Sequence, residues 1–201
     1  NVARKMIFEK DSDKEFNKGE ILTGYDNFEY DNYKFWNSLD YVITNDPFQI
    51  SKRILNMNES ILGYNLELYD SVYKSTHSVF VISRENDTQT LINLSNLIET
   101  TRLRALELKS KGKRATDTWK RYFETLNSFA TPFNLFYDNR VIKKKTFDYG
   151  YASTVHKSQG SSYNRVFVDM GNIGKVQDSE ELRQLQYVAV SRTRGDAYIL
   201  V

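Results

Sequence analysis

Apolar positions along the chain change their period twice. Residues 1–15 scatter Val2, Met6 and Ile7 among charges, a weak helical pattern. Asn17-Lys18-Gly19-Glu20 reads as a turn that feeds a short strand at Ile21-Leu22. From about 20 to 87 the signals are mostly β. Tyr41–Thr44 is aromatic and β-branched, and Asp46-Pro47 closes it. Asn65–Tyr73 alternates, which predicts one face bearing Leu66, Leu68 and Val72. Val79–Ile82 is a further short strand, ended by the polar run Arg84–Asp87. Short strands at this density predict a small antiparallel barrel or sheet.

The period then becomes helical. Leu91, Leu94, Ile98, Thr101, Ala105 and Leu108 recur on one face, and Gly112 stops the run. Trp119, Tyr122, Phe123, Leu126 and Phe129 form the stripe of a second helix, with Pro132 just beyond it. The C-terminal stretch alternates again. Tyr151–Val155 and Arg165–Asp169 read as strands. Asp178 reads as a helix cap, with Glu181 three residues on. Leu182, Leu185, Val188 and Ala189 give that helix one face, and Ala197–Val201 reads as a final strand. The order strand, loop, strand, helix, strand predicts a parallel sheet with crossover helices.

Composition narrows the picture. The 201 residues suit one domain of ordinary size, or one carrying a small insertion. With 40% hydrophobic residues the chain can bury a real core. It has no cysteine, and its two histidines, His77 and His156, are far apart. A disulfide framework is excluded, and a structural zinc site is not expected. The net charge of +2 neither demands nor excludes a nucleic-acid partner. Basic residues cluster at 109–114 and 140–145, each readable as a solvated loop or as a phosphate-binding patch. No signal peptide opens the chain, and no apolar run approaches roughly 18 residues, so a cytoplasmic protein is expected. It opens at Asn1 inside an already patterned segment, so a piece of a longer protein is expected.

Two clusters carry the candidate chemistry. Thr154, His156, Lys157, Ser158 and Gln159, closed by Gly160, stand where the strand at 151–155 would end. Ligands of parallel sheets bind at that end of the strands. Hydroxyl, imidazole and backbone N–H donors suit phosphate oxygens, and glycine admits close approach of a ligand. A polar strand-to-helix loop is the plainer reading. The second cluster is Tyr187–Arg194. Arg192 continues the stripe of Leu185 and Val188, and a guanidinium there is costly unless it meets an anion. That anion is either a transferring phosphoryl group or a carboxylate of the same domain.

Together, Tyr-Ala-Ser-Thr-Val-His-Lys-Ser-Gln-Gly-Ser at 151–161 and Gln-Tyr-Val-Ala-Val-Ser-Arg-Thr-Arg at 186–194 resemble motifs V and VI of superfamily-one helicases. The resemblance is nearest to the RecD and phage Dda branch and to UvrD-type C-terminal domains. It covers 151–201, with a looser likeness of Trp119–Phe123 and Phe129-Ala130 to the helix preceding motif V. It implies an α/β fold: a RecA-like parallel sheet over 1–19 and 88–201, interrupted by an SH3-like β insertion over 20–87. The family couples ATP hydrolysis, with Mg2+, to movement along single-stranded DNA, usually 5′ to 3′. By position, Ser153, Thr154, His156 and Lys157 would face DNA. Gln159, Gly160 and Ser161 would lie by the nucleotide, with Arg194 as an accessory. Arg192 would be the arginine finger.

The sequence departs from the family in two ways. Ser162 stands where many relatives carry an acidic ribose contact. There is also no G-x-x-x-x-G-K-[ST] phosphate loop, since Gly112-Lys113 is followed by Arg114. No Asp-Glu pair follows an apolar strand to hold Mg2+. The chain alone is therefore not expected to hydrolyse ATP, because phosphoryl transfer needs loop, metal and finger in one site. The expected partners are single-stranded DNA and an N-terminal RecA-like domain of the same protein. A non-catalytic single-stranded DNA-binding module of helicase descent is the alternative. An unrelated α/β scaffold with a local Arg192 ion pair is a third reading.

Overall fold

The computed structural model describes Phe8, residues 13–55, 57–152, 154–156, 158 and 162–200. The weak helical pattern at the N-terminus falls largely outside these residues. The fold is mixed α/β and divides into two compact units, Asn1–Tyr151 and Ala152–Val201.

The first unit is built on an antiparallel sheet. Its strands are β1 (Ile21–Gly24), β4 (Asp40–Ile43), β5 (Phe48–Arg53), β6 (Ser60–Asp70), β7 (Ser75–Ile82) and β10 (Phe147–Tyr149), in the order β10-β1-β4-β6-β5 with β7 also on β6. One edge of the long β6 pairs with β7. Its other edge pairs first with β5, over 60–65, and then with β4, over 68–70. Asn45 bridges that handover. Its Nδ2 donates to the Asn65 carbonyl at 3.0 Å and its Oδ1 accepts from the Glu67 N–H at 2.9 Å. The side chain thus replaces ladder bonds where neither strand reaches.

Strand alternation in β6 and β7 feeds two cores. Leu66, Leu68, Val79 and Val81 face a cluster with Phe28, Phe35, Tyr41 and Phe147. Ile61, Phe80 and Ile82 face a second cluster with Leu94, Ile98, Phe129 and Leu135. Leu94 and Ile98 come from α1 (Thr88–Ser110), whose cap Asp87 accepts from the Thr90 N–H at 2.8 Å. Gly112, with φ +66°, ends α1 in the left-handed region where the sequence placed the stop. α2 (Thr116–Asn127) follows and packs against α1. Phe129 lies beyond the last turn of α2 and is fully buried, while Phe123 is exposed.

Two hairpins complete this unit, β2–β3 (Phe28–Tyr30, Tyr33–Phe35) and β8–β9 (Leu135–Tyr137, Arg140–Lys143). Each turns on an Asp-Asn pair with both φ values positive: 48° and 63° at Asp31-Asn32, 46° and 61° at Asp138-Asn139. These are two-residue turns whose twist matches the flanking strands. The strand expected over 65–73 stops at Asp70. Its carboxylate accepts from the Val72 and Tyr73 N–H groups at 2.7 and 3.2 Å, so Val72 sits exposed in the turn rather than on the strand face.

The basic run at 140–145 occupies β9 and continues to Lys145, and much of it is engaged internally. Arg140 bonds the buried Glu99, which also pairs with Arg102 at 2.7 Å. Lys145 bonds Asp148. Lys143 donates to the Leu126 carbonyl at 2.6 Å, with its Nζ 4.6 Å from the Phe28 ring centre and 4.8 Å from that of Phe129. Burial pushes the Lys143 ammonium down to about 7.

The second unit is a strand–helix–strand crossover. β11 (Tyr163–Asp169) runs parallel to β12 (Thr193–Leu200), joined through α3 (Met170–Ile173) and α4 (Ser179–Ser191). The helix capped by Asp178 and the strand at 165–169 stand where the sequence pattern put them, while the last strand, expected over 197–201, already begins at Thr193. The strand expected over Tyr151–Val155 does not form at its described positions. The Ser158 N–H bonds the Thr154 carbonyl at 3.1 Å and Ser158 Oγ bonds the Val155 carbonyl at 2.7 Å, closing a turn instead. Among the described residues, β11–β12 is therefore the only parallel strand pairing within named strands, and antiparallel pairing dominates the fold.

Candidate functional site

The second unit presents its polar cluster on α4 and the turn beside it. α4 starts cleanly because Asp178 Oδ1 accepts from the Glu180 and Glu181 N–H groups, both at 2.9 Å. Glu180 and Glu181 add negative charge to its first turn. The positive end of this helix is thus answered by three carboxylates and has little left for a ligand anion.

Glu181, Gln184, Leu185, Val188 and Arg192 follow one another at helical spacing. Leu185 is buried, as is Ala189, because this side of α4 covers β11 and the buried Val168. Arg192 caps the helix C-terminus. Its N–H bonds the Val190 carbonyl, and its own carbonyl accepts from the Tyr163 N–H at 2.9 Å. That bond ties the end of α4 to the start of β11. Close by, Gly195 passes Asn164 where the register of β11–β12 shifts, and a Cβ there would lie 2.7 Å from the Asn164 carbonyl oxygen.

The Arg192 side chain is held against the unit, yet its Nε is buried without a hydrogen-bond partner. The neighbouring Thr193 Oγ1 is in the same state. Each buried polar atom without a partner is costly, on the order of 1–3 kcal/mol. No ion pair involves Arg192 among the described residues. The Arg165–Asp196 pair across β11–β12, at 3.5 Å, is exposed on both sides and contributes little. The local carboxylate that the sequence offered as an alternative partner for Arg192 is thus not found there. Arg194, two residues on, is exposed in β12.

Thr154 and His156 are exposed on the turn at 154–158. His156 lines a groove of about 220 Å3 with Glu181, Gln184, Leu185, Tyr187 and Val188. The structure therefore brings His156 onto the same helix side that leads to Arg192. Ser153, Lys157, Gln159, Gly160 and Ser161 lie outside the described residues, so their expected DNA and nucleotide contacts have no geometry here. Gln184 lies outside both sequence clusters, and Tyr187 and Thr193 lie inside the second without a role assigned to them there. Only the position of Thr193 between two arginines could have marked it. The described residues contain no group of three or more His, Asp or Glu placed to hold a metal ion. No helix among them is long and apolar enough to cross a membrane.

Residues 149–200 match the family model described as the UvrD-like helicase C-terminal domain. The match spans about a quarter of the chain and contains the turn at 154–158, α4, Arg192 and both parallel strands. It supports a helicase-derived segment of UvrD type for that stretch. No curated protein matches the chain.

Proposed function

We propose that this chain is the second-motor-domain part of an ATP-dependent DNA helicase of the RecD and Dda kind, moving 5′ to 3′ on single-stranded DNA. The observation that carries the proposal is the orphaned pair of Arg192 Nε and Thr193 Oγ1, inside a stretch that matches a helicase C-terminal domain. An arginine whose Nε–H finds no acceptor within its own unit retains capacity for an anion supplied by another domain.

In this reading ATP would be the substrate, and Mg2+ held outside this sequence would offset its phosphate charge. Arg192 meets the negative charge that develops on the terminal phosphate, and its anchored backbone keeps the side chain from reorganising as that charge appears. Gln159, Gly160, Ser161 and Arg194 would complete the nucleotide side. Ser153, Thr154, His156 and Lys157 would hold the DNA backbone. The phosphate loop and the metal-binding carboxylates would come from a RecA-like domain outside this sequence, so the chain alone would not turn over ATP. The motor domain would comprise 1–19 and 88–201, with 20–87 as an SH3-like insertion and the protein working in the cytoplasm.

The test is Arg192→Ala in the whole gene product. Turnover should fall about 10³-fold, the scale of a lost arginine finger, with single-stranded DNA affinity nearly unchanged. Arg192→Lys should not restore turnover, because an ammonium lacks the planar fork. Unchanged turnover, or an equal loss of DNA binding, would contradict the assignment.

A further inference from the structure

The groove beside α4 has a different chemistry from the arginine site. Its floor is the apolar pair Leu185 and Val188, and its rim carries His156, Tyr187, Gln184 and Glu181. No Lys or Arg occurs among the described residues lining it, and Glu181 places a carboxylate at its edge. A phosphate would be repelled there, and the adjoining helix N-terminus is already answered by Asp178, Glu180 and Glu181. What the rim offers instead is flat π surface and a hydrogen-bonding edge. Tyr187 is 74% exposed, an unusual state for a large aromatic ring on a helix whose neighbours Leu185 and Ala189 are buried. The Gln184 amide both donates and accepts, and the Glu181 carboxylate accepts. Those are the functions that read the exocyclic amines and ring nitrogens of a base. At about 220 Å3 the groove is smaller than the roughly 300–1,000 Å3 that encloses a drug-sized ligand, so it suits one ring system rather than a whole nucleotide.

We propose that the His156–Gln184–Tyr187 groove is a nucleobase subsite: a base stacks on the Tyr187 ring over the Leu185–Val188 floor, and Gln184 and Glu181 bond its edge. The inference rests on the functional reading above and deepens it. It assigns the base contact to α4, apart from any phosphate contacts of the 153–161 segment and from Arg192. Stacking tolerates any base, while Gln184 and Glu181 bias the site towards bases that present an amine.

The experiment compares the whole gene product with its Tyr187→Leu, Tyr187→Phe and Gln184→Ala variants, by fluorescence anisotropy. The probes are an oligodeoxyadenylate strand and an abasic deoxyribose-phosphate strand of equal length. Tyr187 is exposed, so these substitutions leave the unit folded. The wild type should prefer the base-bearing strand. Tyr187→Leu should weaken that strand alone by about 5- to 150-fold, the scale of one lost base–aromatic stack. Tyr187→Phe should keep the preference, and Gln184→Ala should reduce it less. Equilibrium dialysis of ATP on the same variants separates the two sources of a base. If Tyr187→Leu lowers ATP binding but not strand binding, the subsite takes the nucleotide's base. If it lowers strand binding alone, the subsite takes the strand's. A preference for bases that survives Tyr187→Leu, with ATP binding also unchanged, would overturn the subsite and leave the helicase reading standing. Absence of binding to both strands and to ATP would overturn both.

Discussion

The two units treat their charged groups in opposite ways. In the first, buried charge is answered from within. Glu99, whose side chain is 3% exposed, is held by Arg102 and Arg140. Asp70 takes the Tyr33 hydroxyl at 2.7 Å together with two N–H groups, and Glu15 takes Ser83 Oγ at 2.6 Å and the Arg84 N–H. In the second unit Arg192 Nε and Thr193 Oγ1 are buried and unanswered, and large rings stand in the open. Phe167 is 71% exposed, stacked only on the half-open Tyr198 at 4.8 Å. Parallel strands are ordinarily covered on both faces. The contrast separates arginines that build a scaffold from one whose Nε has no acceptor within its unit. Exposure or charge alone would not have drawn that line, because the basic run at 140–145 is denser than the one around Arg192.

The contrast can be broken most forcefully in the cores. Phe35 is fully buried among Phe28, Tyr33, Tyr41 and Phe147. Phe35→Ala should cost about 3–5 kcal/mol in urea unfolding of the first unit. Tyr198→Ala in the second should cost about 1 kcal/mol, the scale of an aromatic pair on an open face. Comparable costs would mean that the second unit is as tightly built as the first.

The charged groups give the next largest effect. Glu99→Gln leaves two guanidinium groups short of a carboxylate. It should lower stability by about 2 kcal/mol, below the range for a fully buried pair because Arg140 is half exposed. Arg102 chiefly, and then Arg140, hold the Glu99 carboxyl below its usual range against the opposing effect of burial. Its contribution is therefore present above the ordinary carboxylate pKa and is lost as pH falls through the lowered one. Arg192→Ala should cost nothing measurable in stability, since it removes an orphaned group rather than a partner. A loss there equal to that of Glu99→Gln would place Arg192 in the scaffold.

Lys143 sharpens the same comparison through pH. Its folded-state value is pushed down to about 7 from the ordinary 10.5, so between these values the unfolded chain binds the extra proton. Stability should then rise with pH across that window. Lys143→Met should flatten the slope, which a series of urea midpoints from neutral to alkaline pH would show. The smallest effect is expected at the α4 cap. Asp178→Ala should cost about 1 kcal/mol, read as a lower thermal midpoint for α4 helicity.

Periodicity made much of this fold legible. The 3.6-residue stripes located α1, α2 and α4, and β-branched runs located β4, β7, β11 and β12. The Asp-Asn turns at 31–32 and 138–139 escaped because neither contains glycine. Their left-handed φ values rest on the tolerance of Asp and Asn for that region. The strand expected at 151–155 failed for a related reason, since the Ser158 hydroxyl and N–H close a local turn that competes with pairing. Arg192 could be seen in the sequence because it continues an apolar stripe. The groove could not, because it exists only where the turn at 154–158 meets α4, and no spacing along the chain encodes that meeting.

The most direct test of the motor assignment is ATP turnover by the whole gene product, with and without single-stranded DNA, measured beside this chain alone. The account predicts turnover that single-stranded DNA stimulates in the whole product and none in the isolated chain. Turnover absent from both would contradict it, and would leave a helicase-derived segment that binds single strands without working as a motor.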